Sequence, residues 1–202
     1  AKNVMCALGR NQSPIDLANL VEADLKPLKL DYKTGATEVV NNGHTIQVNY
    51  APGSTLAVDG RSYELKQFHF HAPSENRIAG KSFPMEGHLV HADKEGNLAV
   101  LAVMFADGAA NPGLEKAWAA MPAKAGGKAP LPAGVNASAL LPADNYRFSG
   151  SLTTPPCSEG VMWLVAKKPA TASKAQIEQF AKTVGFPNNR PIQAVNARPV
   201  LQ

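Results

Sequence analysis

The most informative stretch of the sequence is QFHFHAPSE, residues 67–75, whose first five residues alternate between polar and phenylalanine side chains. Successive side chains on a β-strand point to opposite faces of the sheet. Phe68 and Phe70 are therefore predicted to face a core, whereas His69 and His71 face the other side together. The stretch predicts a half-buried strand that carries two neighbouring imidazoles.

The same period of two recurs outside this stretch. Ile46, Val48 and Tyr50 alternate with polar residues, which predicts another strand with one buried face. The continuous apolar run from Leu98 to Phe105 predicts a buried central strand. Clusters of Pro, Gly and Asn interrupt the pattern every ten or so residues. These features favour an antiparallel-rich sheet.

Two helices are indicated. Ser173 and Gln176 form a capping box before an apolar pattern of helical spacing, and Gly185 predicts the end of that helix. A shorter helix is predicted to begin at Asn111 and Pro112 and to run to about Met121. We expect the Ala-, Gly- and Pro-rich segment 121–145 to be a surface connection.

Composition excludes several classes of protein. The 202 residues are 45% hydrophobic and 18% charged, which is typical of one globular domain. The longest apolar run, 98–106, is far shorter than the roughly 20 residues that a bilayer requires, so we expect no membrane segment. The net charge of +4 is dispersed along the chain, which argues against nucleic-acid binding. Cys6 and Cys157 either pair or are two buried free thiols.

A second histidine segment, EGHLVH at residues 86–91, complements the first. Glu86 and His88 share one face of the predicted strand, and His91 lies on the opposite face, where we expect a hydrogen-bonded core histidine. A hairpin-like pairing would aim His88 at the two imidazoles of the first strand. Three neutral imidazoles with an open fourth position are typical of catalytic zinc.

Two further segments carry possible chemistry. The carboxylate of Glu86, and the amide of Gln67 on the first strand, can accept the second ring N–H of a ligating histidine. In the segment SGSLTTPPCSEG, 149–160, the Thr153 hydroxyl could orient a metal-bound hydroxide if Glu75 accepts its proton, although the sequence TTPP alone predicts a turn. His44, in the turn sequence NNGH, is predicted to be a solvent-facing loop histidine.

Taken together, the motifs QFHFHAPSE, EGHLVH, NNGH, SGSLTTPPCSEGVMW and NRPIQ resemble those of an α-class carbonic anhydrase of bacterial type. They occur in order from QSPIDL, beginning at Gln12, to the segment 188–193. The resemblance implies a mainly β (α+β) fold, with a large, twisted, mostly antiparallel sheet of about ten strands and short surface helices. It also implies one catalytic domain over residues 1–202, with a shortened N-terminal segment.

The implied activity is zinc-dependent, reversible hydration of carbon dioxide by a zinc-bound hydroxide, with a histidine proton shuttle. The resemblance assigns roles residue by residue. It implies zinc ligands at His69, His71 and His88, oriented by Gln67, Glu86 and the backbone of Asn188; a gatekeeper Thr153 with Glu75; a bicarbonate contact at Thr154; a carbon dioxide wall of Val90, Val100, Leu152, Val161 and Trp163; and a shuttle at His44 with Asn42 ordering its water.

Further properties follow from the same resemblance. Cys6 and Cys157 match a disulfide of exported members, so we expect a mature periplasmic or secreted protein. The resemblance also implies inhibition by sulfonamides and allows a homodimer. Asn76 and Gly87 depart from the residues usual in the family. Strict alternation from Ile46 would place His44 on the apolar face, so we expect the turn at Gly43 to break the register.

Two other functions stay open at this point. In a cupin-type metal dioxygenase, His69, His71 and Glu75 would hold iron or manganese, but the rest of that motif is absent from the sequence. A non-catalytic, carbonic-anhydrase-like binding module would keep the fold without the chemistry. Such relatives typically lack a zinc ligand, whereas this sequence keeps all three histidines.

Overall fold

The computed structural model describes residues 3–33, 35–131, 135–140 and 144–202. Within these ranges the strands and helices follow one another along the chain. The strands are β1 (Asp16–Leu17), β2 (Lys29–Asp31), β3 (Ala36–Asn41), β4 (Ile46–Tyr50), β5 (Thr55–Val58), β6 (Arg61–His71), β7 (Arg77–Ile78), β8 (Met85–Ala92), β9 (Leu98–Asp107), β10 (Lys128–Pro130), β11 (Asn145–Ser151), β12 (Glu159–Ala166) and β13 (Ala170–Ala172). The α-helices are α1 (Val4–Leu8), α2 (Pro112–Ala119) and α3 (Lys174–Val184), and a 3-10 helix spans Ala137–Leu140.

Eleven of these strands form one large sheet, close to the ten expected. Its main path runs in the order β10-β3-β4-β6-β8-β9-β12-β11, with β5 beside β6, β2 beside β5 and β13 beside β9. Most neighbours are antiparallel, whereas β9 pairs in parallel with both β12 and β13. The remaining strands, β1 and β7, form a separate parallel pair. The predicted mainly β architecture with a large sheet is confirmed.

The two faces of the sheet carry different cores. On one face, Phe68 and Phe70 pack under α2 and α3, and the Phe70 ring lies 4.9 Å from that of Trp118. On the other face, alternate residues of the central strands pack around Trp163. Period-two alternation therefore places the aromatic residues of β6 beneath the helices and leaves its histidines on the opposite face.

The helix predictions agree with the structure in outline. The Ser173–Gln176 capping box precedes α3, and Gly185 ends it in the left-handed conformation with φ 84°. Asn111 caps α2, which ends at Ala119, two residues before the expected end. Within the described part of the chain, no helix is both long and apolar enough to span a membrane.

Two regions differ from the expectations. Helix α1 was not predicted, because its five residues, VMCAL, are all apolar and show no helical period, and Asn3 makes no capping hydrogen bond. The predicted surface connection 121–145 contains β10, which pairs with β3, and buries Val135, Ala137 and Leu140 against the helix-side core. Part of that segment, 132–134 and 141–143, lies outside the described residues.

Candidate metal centre

Strand pairing brings three histidines to one point of the sheet. Strands β6 and β8 are antiparallel, with His69 opposite His88 and His71 opposite Glu86. One ligand nitrogen from each histidine lies within 4.8 Å of the other two, and the ring centroids of His71 and His88 are 4.6 Å apart. The separation suits three ligands around a single ion.

The second nitrogen of each ring is held by an acceptor. His69 Nδ1 lies 2.8 Å from Gln67 Oε1, and His71 Nδ1 donates to the Asn188 carbonyl at 2.9 Å. His88 instead uses Nε2, which lies 2.9 Å from Glu86 Oε1. These contacts leave Nε2 of His69, Nε2 of His71 and Nδ1 of His88 available to bind a metal. His71 Nε2 is buried and has no hydrogen-bond partner among the residues that the structure describes, as expected of an atom that binds a metal.

The electrostatics favour neutral ligands at two positions. Burial holds the pKa of His69 well below its ordinary 6.5, and the adjacent His71 and His88 lower it further. Burial also lowers the pKa of His71, although the Glu75 carboxylate opposes this. Both imidazoles are therefore neutral near pH 7, the form that coordinates zinc.

His88 and Glu86 form a coupled, buried pair. Burial disfavours charge on both groups, but their mutual attraction and hydrogen bond outweigh it, so the pKa of His88 is raised and that of Glu86 is lowered. Glu86 also accepts the Glu75 and Asn76 backbone N–H groups and the Asn76 amide, at 2.7–2.8 Å. This carboxylate is thus kept ionised behind His88. Asn76 is one of its donors, through both its backbone N–H and its side-chain amide.

Glu75 lies beside the histidines on the loop that joins β6 to β7. Its Oε1 accepts the Arg190 backbone N–H at 2.8 Å, and its Oε2 lies 3.9 Å from His88 Nδ1. Glu75 Oε2 is buried and lacks a hydrogen-bond partner within the described ranges. The hydrogen bond expected from Thr153 to Glu75 is therefore not formed in this structure, although both residues line the same cavity.

That cavity has a volume of about 630 Å³ and opens above the histidines. Most of its lining residues are of polar type, and they come from several separate segments. The lining residues are Asn42, His44, Thr45, Gln47, Gln67, His69, His71, Glu75, Thr153, Thr154, Pro155, Phe186, Pro187, Asn188, Asn189 and Arg190. The sequence analysis assigned roles to nine of these residues and assigned none to Thr45, Gln47, Pro155, Phe186, Pro187, Asn189 and Arg190.

His44 lies at the exposed side of the cavity, in the turn before β4. Gly43 adopts φ 85°, and Asn42 Oδ1 accepts the backbone N–H groups of both His44 and Thr45 at 2.9 Å. Consecutive burial of Thr45 and Ile46 breaks the alternation, as expected, so that His44 is exposed instead of facing the core. Asn42 is also exposed, with its side-chain oxygen committed to this turn.

The five residues of the expected carbon dioxide wall form a cluster that lies deeper in the protein than the residues lining the cavity. Val100, Val161 and Trp163 are buried, and Val90 and Leu152 pack against them partly exposed. None of the five belongs to the described lining of the 630 Å³ cavity. The Trp163 ring lies 4.9 Å from that of His88, which places this cluster directly behind one of the histidines.

His91 and the cysteines complete the comparison with the sequence expectations. His91 is fully buried on the opposite face, between the Ala99 carbonyl and the Tyr32 hydroxyl. Cys6 and Cys157 form a disulfide, as the resemblance implied. Because the Cys157 N–H donates to the Thr154 carbonyl, the disulfide ties α1 to the turn that carries both threonines.

Comparison with known proteins places this geometry among related chains. A sequence model described as eukaryotic-type carbonic anhydrase matches residues 1–202. The carbonic anhydrases of Pectobacterium carotovorum and Neisseria gonorrhoeae are each 51% identical over 98% of this chain, covering 82% and 79% of the relatives.

Solved structures are also similar. The α-carbonic anhydrase from Thermovibrio ammonificans in complex with the inhibitor sulfanilamide has a TM-score of 0.97 at 52% identity, covering 100% of this chain and 91% of that one. Dioscorin complexed with ascorbate has a TM-score of 0.92 at 29% identity, covering 99% of this chain and 88% of that one.

Proposed function

The chain belongs to the eukaryotic-type (alpha) carbonic anhydrase family, a family of zinc enzymes that hydrate carbon dioxide reversibly, and we propose that His69, His71 and His88 hold its zinc. The convergence of three histidine nitrogens within 4.8 Å, with each second nitrogen held by an acceptor, carries this proposal. Held by these three histidines, zinc would lower the pKa of a bound water to about 7 and would so supply a hydroxide near neutral pH. Residues 1–202 then form one catalytic domain.

Glu75 and Thr153 orient the nucleophile in this proposal. We assign Glu75 Oε2 as the acceptor of the Thr153 hydroxyl, because this buried oxygen has no hydrogen-bond partner among the described residues. Once the Thr153 hydroxyl donates its proton to a carboxylate, its oxygen can only accept a hydrogen bond. It then binds a nucleophile that carries a proton, and this hydrogen bond orients the lone pair of the nucleophile. Thr154 then contacts the bicarbonate product.

The apolar cluster behind His88 holds the substrate. Carbon dioxide is small and has no net dipole, so it is retained by dispersion contacts and exclusion of water rather than by hydrogen bonds. Val90 and Leu152, the partly exposed members of the cluster, would offer such a surface, and Trp163 lies behind them beside His88. We assign Val100 and Val161 to the same wall.

His44 carries the proton to buffer. Each turnover releases a proton, and imidazole is the side chain that both accepts and releases one near neutral pH. His44 is exposed at the mouth of the cavity, with Asn42 beside it to order water. Replacement His44→Ala should therefore lower kcat while leaving kcat/KM nearly intact, and imidazole buffer should restore kcat.

The decisive experiment combines metal analysis with stopped-flow hydration of carbon dioxide. The wild type should contain one zinc per chain and lose activity on adding a sulfonamide. His71→Ala should lose zinc and at least about a hundredfold in rate. The matched control is His91→Gln, a buried histidine on the other face, which should keep both.

The same measurements separate the other two functions. A zinc-loaded but inactive wild type would favour a non-catalytic binding module, and iron in place of zinc would favour a dioxygenase. For the gatekeeper, Thr153→Val should lower kcat/KM about a hundredfold, and Thr153→Ser should retain most of the rate. Equal activity of both threonine variants would contradict the assigned role.

The environment of the protein follows from its disulfide. A Cys6–Cys157 bond and bacterial carbonic anhydrase relatives indicate an extracytoplasmic protein. We propose the periplasm or the external medium as its compartment, and a homodimer as its assembly. Cell fractionation and sedimentation of the purified protein test these two assignments. Its substrate is the small molecule carbon dioxide, or bicarbonate in the reverse direction.

A further inference from the structure

The side-chain amide of Asn188 contacts both the shuttle loop and the strand end that carries a zinc ligand. Its Nδ2 donates to the His44 carbonyl and to the Phe70 carbonyl, both at 3.0 Å. Its Oδ1 accepts the Ala72 N–H at 2.8 Å. Phe70 and Ala72 flank His71, so a single amide holds the backbone on both sides of that ligand.

The main chain of Asn188 depends on this anchoring. Its carbonyl accepts the His71 Nδ1–H at 2.9 Å and so fixes the orientation of the imidazole. The backbone N–H of Asn188 makes only a long contact of 3.4 Å, to the Ala72 carbonyl. Three shorter bonds come from the side chain, which is therefore the main restraint on where the carbonyl lies.

We infer that the Asn188 side chain is a positioning group that joins the His44 loop and the His71 strand end into one rigid unit. The inference rests on the proposed shuttle role of His44 and goes beyond it, because it assigns a function to the amide rather than to the backbone carbonyl. A donor with two hydrogens and an acceptor are both needed here, and an asparagine side chain supplies both.

The His44 loop has a second attachment, which limits the expected effect. The Thr45 hydroxyl also donates to the Phe70 carbonyl. Removal of the Asn188 amide therefore loosens the loop without releasing it. The loss of kcat should be smaller in Asn188→Ala than in His44→Ala.

The test compares Asn188→Ala with Asn111→Ala, both as zinc-loaded full chains. Asn111 is a matched control because its amide also makes three hydrogen bonds to backbone groups. It lies at the start of α2 and does not line the cavity. Asn188→Ala should weaken zinc binding about tenfold in competition with a chelator. Its kcat should fall about fivefold, with recovery in imidazole buffer and kcat/KM within about twofold of the wild type.

Hydrogen exchange supplies a readout that is independent of activity. The Ala72 N–H, which donates to Asn188 Oδ1, should exchange faster in Asn188→Ala and at the wild-type rate in Asn111→Ala. Asn111→Ala should keep the wild-type zinc affinity and kcat while losing stability. Equal zinc affinity and equal kcat in Asn188→Ala and the wild type would overturn the inference.

The double variant His44→Ala/Asn188→Ala tests the coupling itself. If the amide acts on kcat through His44, its effect on kcat disappears when His44 is already alanine, whereas its effect on zinc affinity persists. An undiminished kcat loss in that background would overturn the coupling. An unchanged kcat in His44→Ala alone would instead refute the proposed shuttle, and zinc affinity would still decide whether Asn188 positions His71.

Discussion

Removal of the disulfide tests how firmly the segment around Cys6 is attached to the rest of the chain. The bond links Cys6 to Cys157 across 151 positions. In the loop-entropy model, a cross-link of that span restricts the unfolded chain by an amount equivalent to about 5 kcal/mol at 25 °C. Helix α1 buries none of its residues, so little packing would replace the bond once it is cut.

We therefore expect Cys6→Ala/Cys157→Ala to lower the free energy of unfolding by about 5 kcal/mol. Urea titration followed by tryptophan fluorescence, at equal free zinc, measures this difference. The wild type under reducing conditions is a matched control, because it keeps both sulfur atoms and loses only the bond. A difference below about 1 kcal/mol in both proteins would refute the loop-entropy reasoning.

The rate should respond as well. Cys157 closes the turn that holds Thr153 and Thr154, and its N–H bonds to the Thr154 carbonyl. Arg190 Nη2 also donates to the Cys6 carbonyl, so α1 keeps one polar contact after the bond is cut. We expect the folded, zinc-loaded variant to stay active with a reduced kcat/KM. A wild-type rate would show that the turn holds its own shape.

Three further predictions concern buried groups. Burial lowers the pKa of His91 from 6.5 to about 4, so between these two pH values the unfolded chain binds a proton that the folded chain does not. As the pH falls from 6.5 to 4, the free energy of unfolding should therefore decrease by about 3 kcal/mol. Urea titrations across the pH range would measure this loss, which should be smaller in His91→Phe. A Cβ on Gly87 would lie 3.2 Å from the Phe70 ring, so Gly87→Val should destabilise the fold by about 1–3 kcal/mol, seen as a lower Tm, and an unchanged Tm would contradict the tight packing. Glu86→Gln removes the charge behind His88 and should weaken zinc binding about 10- to 100-fold in a chelator competition, whereas unaltered binding would argue against its orienting role.

Much of the centre was predictable because it depends on strand parity. His69 and His71 share a face whatever the partner strand, and Glu86 and His88 do so in the same way. The structure pairs these two strands with His69 opposite His88, which brings the faces together. Local signals also sufficed for α3, where the capping box and the following apolar spacing are read within a few residues.

Contacts between residues far apart in the chain could not be predicted from the sequence. Arg190 supports Glu75 through its backbone N–H, across 115 positions, and no side-chain pattern reports a backbone donor. Similarly, β10 has three residues and forms because β3 offers it an edge, so its own sequence carries no alternation. The Asn188 amide contacts segments 116 to 144 positions away. Such contacts depend on topology rather than on local composition.

The alternation of β6 has one last consequence, for quality control during folding. Phe68 and Phe70 point to one face of the sheet, and His69 and His71 point to the other. A shift of one residue in the pairing of β6 with β8 would therefore place the phenylalanines where the histidines belong and the histidines where the phenylalanines belong. Such a misaligned chain would present no three-nitrogen cluster and would gain nothing from added zinc. If the three histidines hold zinc as proposed, the ion would stabilise only chains whose β6 and β8 pair in the native register.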